Sequence, residues 1–182
     1  MSNYRRAAAK GASYFFTLVS YQRRNIFCDQ SIRFALRQAI KRVQNKSPFS
    51  IDAWVLLPNH MHCIWTLPEG DNNFSQRWSS IKRRVSIECG QQYKQQQLLT
   101  ESKVKRREST LWQRRFWEHQ IRNQQDFNNH LDYIHYNPVK HNYCYSPSQW
   151  QYSTIHRYIK EGYYPYNWGE QEPYFSDINF GE

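Results

Sequence analysis

The 182-residue sequence has no apolar run of 18 residues, so it offers no bilayer-spanning helix and predicts no membrane partner. Its four cysteines, Cys28, Cys63, Cys89 and Cys144, make no CxxC pair and no disulfide-framework spacing. The opening Met1-Ser2-Asn3-Tyr4-Arg5-Arg6 leads into no long apolar core, so no secretory signal is expected; the expected location is the cytoplasm, in association with the nucleoid. There is no internal repeat, P-loop, dinucleotide fingerprint or GxSxG elbow. Acidic charge is also scarce: 15 Asp and Glu stand against 25 Lys and Arg, a formal charge of +10. Such a balance favours a polyanionic partner, nucleic acid before membrane. Aromatic residues are in surplus at 17%, which suits single-stranded nucleic acid, whose bases stack on rings while phosphates meet Arg and Lys. The plainer use of those rings is the core of a single domain, and a chain of this length can bury one.

The centre of the chain, residues 53–67, reads as a β-hairpin: two apolar, β-branched and aromatic runs flank a Pro58-Asn59 turn signal. Strand alternation sends His60 and His62 to one face and Met61, Cys63 and Trp65 to the other. Two imidazoles about 7 Å apart on one face can grip a single metal ion. Seven histidines in 182 residues yield about 0.3 His-x-His pairs by chance, so the pair alone carries little. A structural zinc site using His60, His62 and Cys63 is disfavoured, because adjacent strand residues face opposite ways.

The chain before and after the hairpin supplies a regular alternation of elements. Residues 1–11 form a basic arm, and Ser13 to Tyr21 form a strand candidate. Behind Asp29 as a cap, Ile32, Ala35, Leu36, Ala39, Ile40 and Val43 keep helical spacing. Phe74, Trp78, Ile81 and Val85 mark a second helix, whose other faces carry Arg77, Lys82, Arg83 and Arg84. Those cations, with Arg5 and Arg6, are the candidate DNA-backbone contacts; a solvated charged face is the ordinary alternative. Residues 90–110, rich in Gln, Lys, Arg and Ser, have no apolar period and read as a mobile loop. Phe116 to Ile121 reads as the last strand. The order is that of the α+β, ferredoxin-like βαββαβ sheet. A further helix, capped by Asn123, carries a buried stripe of Phe127, Leu131 and Ile134 and a second, polar stripe of Asp126, His130, Tyr133 and Asn137. Pro138 predicts the end of that helix. Beyond residue 138 lies an extension with a possible helix (Ser153 to Glu161) and an aromatic-rich end, so the single domain divides into the arm, a 12–138 core and a 139–182 extension.

A phenol can attack a DNA phosphodiester and hold the cut end as a phosphotyrosine. With a pKa near 10, only about one tyrosine in a thousand is phenolate at pH 7, so a metal or a neighbouring group must assist.

Leu57-Pro58-Asn59-His60-Met61-His62, Trp117-Glu118-His119 and Asp132-Tyr133-Ile134-His135-Tyr136-Asn137-Pro138-Val139-Lys140 together resemble the signature of single-tyrosine HUH transposases. Within them the chain is most similar to the branch associated with repetitive extragenic palindromes (REP) in bacterial genomes. The resemblance runs from residues 11–17 through Trp150-Gln151-Tyr152-Ser153. It implies an RRM-like HUH endonuclease core, Tyr133 as nucleophile, and His60, His62 and Asn137 as ligands of Mg²⁺ or Mn²⁺. It implies nicking and strand transfer on single-stranded, hairpin-forming DNA (REP-type palindromes) through a 5′-phosphotyrosine; the sequence leaves monomer or homodimer open. Tyr136 is the rival nucleophile, but it lies about 100° from Asn137 on the helix whereas Tyr133 lies within about 40°. The rival function is a protein that binds DNA hairpins without cutting them, as a regulator or a decayed transposase.

Overall fold

The computed structural model describes residues 9–95, 98, 100–105 and 109–170. Four strands form its sheet: β1 (Ser13–Val19), β2 (Ser50–Leu56), β3 (His60–Thr66) and β4 (Trp117–Gln120). Their spatial order is β2-β3-β1-β4, with every neighbouring pair antiparallel. Helix α1 (Gln30–Lys46) joins β1 to β2, and α2 (Phe74–Tyr93) leads from β3 toward β4. This is the expected βαββαβ arrangement. A short helix α3 (Glu101–Lys105) precedes β4, and α4 (Gln124–Lys140) and α5 (Ile155–Lys160) follow it. Among the described residues no helix is long and apolar enough to cross a membrane.

Period-two alternation divides the core into two layers. Tyr14, Phe16 and Leu18 of β1 and Met61, Cys63 and Trp65 of β3 face the layer built by α1 and α2. The indole of Trp65 stacks on Trp78 of α2 with ring centroids 4.0 Å apart. Phe15 and Ile64, one residue out of phase, face α4 with Ala53 and Val55 of β2. His60 and His62 share that second face, since the His62 ring stacks on Phe15 at 5.3 Å. Cys63 therefore belongs to the opposite layer, and the zinc site using it does not form.

The structure departs from the sequence expectations in two helices. The apolar stripe of α2 continues one turn at a time through Cys89 to Tyr93, both buried, so the helix enters the stretch expected to be a loop. The short α3 lies in the same stretch. Helix α4 does not stop at Asn137 but carries Pro138 within it and ends at Lys140. The chain can do this because the turn closes around the ring: Asn137 O accepts from His141 N at 3.1 Å and Pro138 O from Tyr143 N at 2.9 Å. At its other end α4 is capped as expected, Asn123 Oδ1 accepting from Asp126 N at 2.9 Å.

The extension covers the outer edge of β2. Leu56 N donates to Tyr152 O, Trp54 N to Thr154 Oγ1 and Trp150 Nε1 to Leu56 O, each at 2.9 Å. A register shift between Ile51 and Ala53 leaves Asp52 bulged, and its carbonyl accepts from Tyr158 Oη at 2.9 Å. Helix α4 is thereby held between the sheet and the extension, with its polar stripe and Leu131 and Ile134 buried and Phe127 half-buried.

Candidate active site

The β2–β3 turn and the sheet register place the histidines before any other group acts on them. His60 Nδ1 lies 2.6 Å from Asn59 Oδ1, and His62 Nδ1 lies 2.9 Å from Thr17 Oγ1, across the β1–β3 ladder where Thr17 pairs with His62. An imidazole donating through Nδ1 to an oxygen presents Nε2 as its ligating nitrogen. The two rings are 5.0 Å apart, nearly perpendicular.

Helix α4 crosses above them. Asn137 Oδ1 is 3.3 Å from His60 Nε2, and the Tyr133 ring is 5.4 Å from the His62 ring. With Nδ1 of His60 protonated toward Asn59, two lone pairs face each other across that 3.3 Å gap. A cation resolves such a contact, and ligands at about 2.1 Å on adjacent octahedral vertices stand about 3 Å apart. The donor set of two imidazoles and one amide oxygen thus fits a divalent ion. His60, His62, Asn137 and Tyr133 are all buried, at no more than 2% exposure.

A second cluster also meets the distances for a metal: His119 of β4 with Asp126 and His130 of α4, whose candidate ligand atoms lie within 4.8 Å of one another. Most of its polar atoms are already engaged with one another, while His130 Nε2 and Asp126 Oδ1 are buried without a hydrogen-bond partner. His130 Nδ1 donates to the Asp126 carbonyl at 2.7 Å, and Asp126 Oδ2 already meets His119 Nε2, Arg122 N and Arg122 Nε at 2.9–3.0 Å. Although burial opposes its charge, the donors from Arg122 and His119 hold the Asp126 carboxyl below the usual carboxylate range. Burial pushes His130 down, keeping it neutral. The cluster links β4 to the first turns of α4 through these hydrogen bonds, and its geometry is also compatible with a metal ion.

The expected basic contacts are dispersed. Arg5 and Arg6 lie outside the described residues. Arg77 is buried and is not a DNA contact: its Nε donates to Ser47 O, Nη1 to Asp71 Oδ1 and Asn73 O, and Nη2 to Pro48 O and Asp71 Oδ2. All its N–H groups are used to tie the α1–β2 connection to the start of α2. Lys82 Nζ donates to the carbonyls of Gln113 and Arg114 at 2.6 and 3.1 Å. Arg83 is exposed and Arg84 half-buried, both on α2 and so across the sheet from the histidines.

Three residues of the site were not singled out from sequence. Thr17 and Asn59 orient the histidines. Lys140 Nζ donates to Tyr133 Oη at 2.8 Å, a contact that exists because α4 runs past Pro138. The rival Tyr136 is buried beneath the extension, its ring 6.5 Å from Trp168.

A histidine pair on a four-stranded sheet, with a tyrosine and an amide brought over it by one helix, defines an enzyme of the tyrosine transposase class. The chain belongs to the IS200-like transposases, whose family model matches residues 8–137, and within them to the REP-associated tyrosine transposases. It is 44% identical to the REP-associated tyrosine transposase of Escherichia coli (strain K12), over 97% of this chain and 96% of that one. It superposes with a TM-score of 0.82 on the solved structure of a REP-associated tyrosine transposase bound to a REP hairpin, at 43% identity over 100% of this chain and 98% of that chain. Transposases of this family are generally metal-dependent.

Proposed function

We propose that this chain nicks and rejoins single-stranded DNA at hairpin-forming, REP-type sequences, with Tyr133 as nucleophile. The observation that carries this reading is the convergence of Tyr133 and Asn137, one turn apart on α4, on the His60–His62 pair of β3. The relative solved with a REP hairpin and the +10 charge support the choice of substrate. His60, His62 and Asn137 would hold Mg²⁺ or Mn²⁺, which when bound polarises the scissile phosphate.

Tyr133 Oη attacks phosphorus as the P–O3′ bond breaks. The phenolic proton leaves to solvent and O3′ takes one from solvent, so the products are a 5′-phosphotyrosine and a 3′-hydroxyl with no net proton change. The ester conserves the energy of the broken bond, and attack by a 3′-hydroxyl reverses the step. Thr17 and Asn59 fix the ring planes of the histidines, and Phe15 packs edge-on against Tyr133 with centroids 6.3 Å apart. Arg83, Arg84 and the arm residues Arg5 and Arg6 remain proposed contacts to phosphates away from the cut.

The test is denaturing electrophoresis of the protein mixed with end-labelled hairpin DNA and Mg²⁺, then mass spectrometry of the adduct. A chelator-sensitive adduct on Tyr133 is expected, abolished in Tyr133→Phe and retained in Tyr136→Phe. Tight hairpin binding with no adduct would establish the non-cleaving alternative, and an adduct on Tyr136 would show the nucleophile misassigned.

A further inference from the structure

We propose that Lys140 is a catalytic residue, its ammonium stabilising the charge on Tyr133 Oη in both directions of strand transfer; this rests on the nicking reading above. Lysine in the last turn of a helix is usually a solvated partner of the helix dipole. Lys140 is placed differently. Seven residues after Tyr133, it returns to nearly the same helix face, about 20° away, two turns along. Its Nζ stands 2.8 Å from Oη and 4.7 Å from the ring centroid, at the oxygen end of the phenol. The residue itself is exposed, so the core does not depend on it.

Negative charge collects on Oη as its proton departs before attack, and again when the phosphotyrosine P–O bond breaks during rejoining. An ammonium held at that atom lowers both barriers, because the two steps share one transition state. Hydrogen bonding alone would orient the phenol but would not offset the charge. A charge-preserving change and a charge-removing change at position 140 should therefore separate.

The experiment compares wild type, Lys140→Arg and Lys140→Gln with the same end-labelled hairpin. Hairpin affinity is measured by anisotropy, single-turnover adduct formation by denaturing gel, and rejoining by adding a 3′-hydroxyl strand to isolated adduct. Lys140→Gln should slow adduct formation and rejoining by similar factors, at least about tenfold, with affinity within about twofold. Lys140→Arg should keep most of both rates. Independently, 3-fluorotyrosine placed at position 133 should shift its ¹⁹F resonance in Lys140→Gln, without DNA or metal present. Unchanged rates in Lys140→Gln, or an unmoved resonance, would overturn the proposal while leaving nicking intact. A wild-type chain that forms no adduct refutes the nicking reading and the role of Lys140 with it.

Discussion

Thr17→Val should weaken metal binding without unfolding the protein. Thr17 is buried in the middle of β1, and its Oγ1 is 2.9 Å from His62 Nδ1. Valine fills nearly the same volume on a β-branched side chain, so the strand is kept. What is lost is the hydroxyl that holds the plane of the ring. Removing a buried partner of this kind costs about 1–3 kcal/mol. Loss of an outer partner of a ligating histidine weakens metal binding by about 10- to 100-fold, or about 1.4–2.7 kcal/mol, which is the same range. The assay is calorimetric titration of Mn²⁺ into Tyr133→Phe, alone and combined with Thr17→Val or Thr17→Ser, with circular dichroism to confirm folding. Thr17→Ser, which keeps the hydroxyl, should fall between the other two. Equal Mn²⁺ affinity in all three proteins would refute the argument that His62 is a ligand held by Thr17.

Arg77→Ala should cost about 3 kcal/mol in urea unfolding, because it strands Asp71 and the carbonyls of Ser47, Pro48 and Asn73; a loss under about 1 kcal/mol would contradict its role as a brace. Stability should also fall on mild acidification. His135, buried under the extension, is pushed down to about 3 by that burial, then by Arg157 and His156. A base whose folded pKa lies below its unfolded value of about 6.5 stays neutral in the fold, so its contribution is complete above pH 6.5 and is lost as pH drops from 6.5 toward 3. The slope is at most about 1.4 kcal/mol per pH unit, and His135→Gln, which retains a donor toward Thr154 Oγ1, should flatten the urea midpoint between pH 7 and 5; an unchanged slope would refute the assignment.

The periodicities made the fold legible. Strand alternation in β1 and β3 and the helical spacing of α1 specified which residues face which layer, and the element order specified the sheet. The site was half legible: His60 and His62 share a face by alternation alone, and the polar stripe of α4 was visible as a stripe. Bringing the two together needed either the family resemblance or the structure, because nothing in residues 60–62 states which helix will cross them. Thr17 is the clearest case of what periodicity omits. Its partner is set by the β1–β3 register, a pairing between residues 45 positions apart that no local pattern encodes. Arg77 departs from its expected place for a different reason. It sits three residues after Phe74 and four before Ile81, so its position belongs to the buried stripe of α2 although its charge suggests an exposed face. Once Asp71 and the carbonyls around it are supplied, the buried guanidinium is the expected outcome. Lys140 lies beyond the helix end that Pro138 predicts. The residue before proline is biased away from helix, yet a proline near a helix end forfeits only one hydrogen bond when later donors close the turn. The three residues gained beyond Asn137 carry the ammonium onto Tyr133, so the same short overrun that defeats the helix-end rule completes the surroundings of the nucleophile.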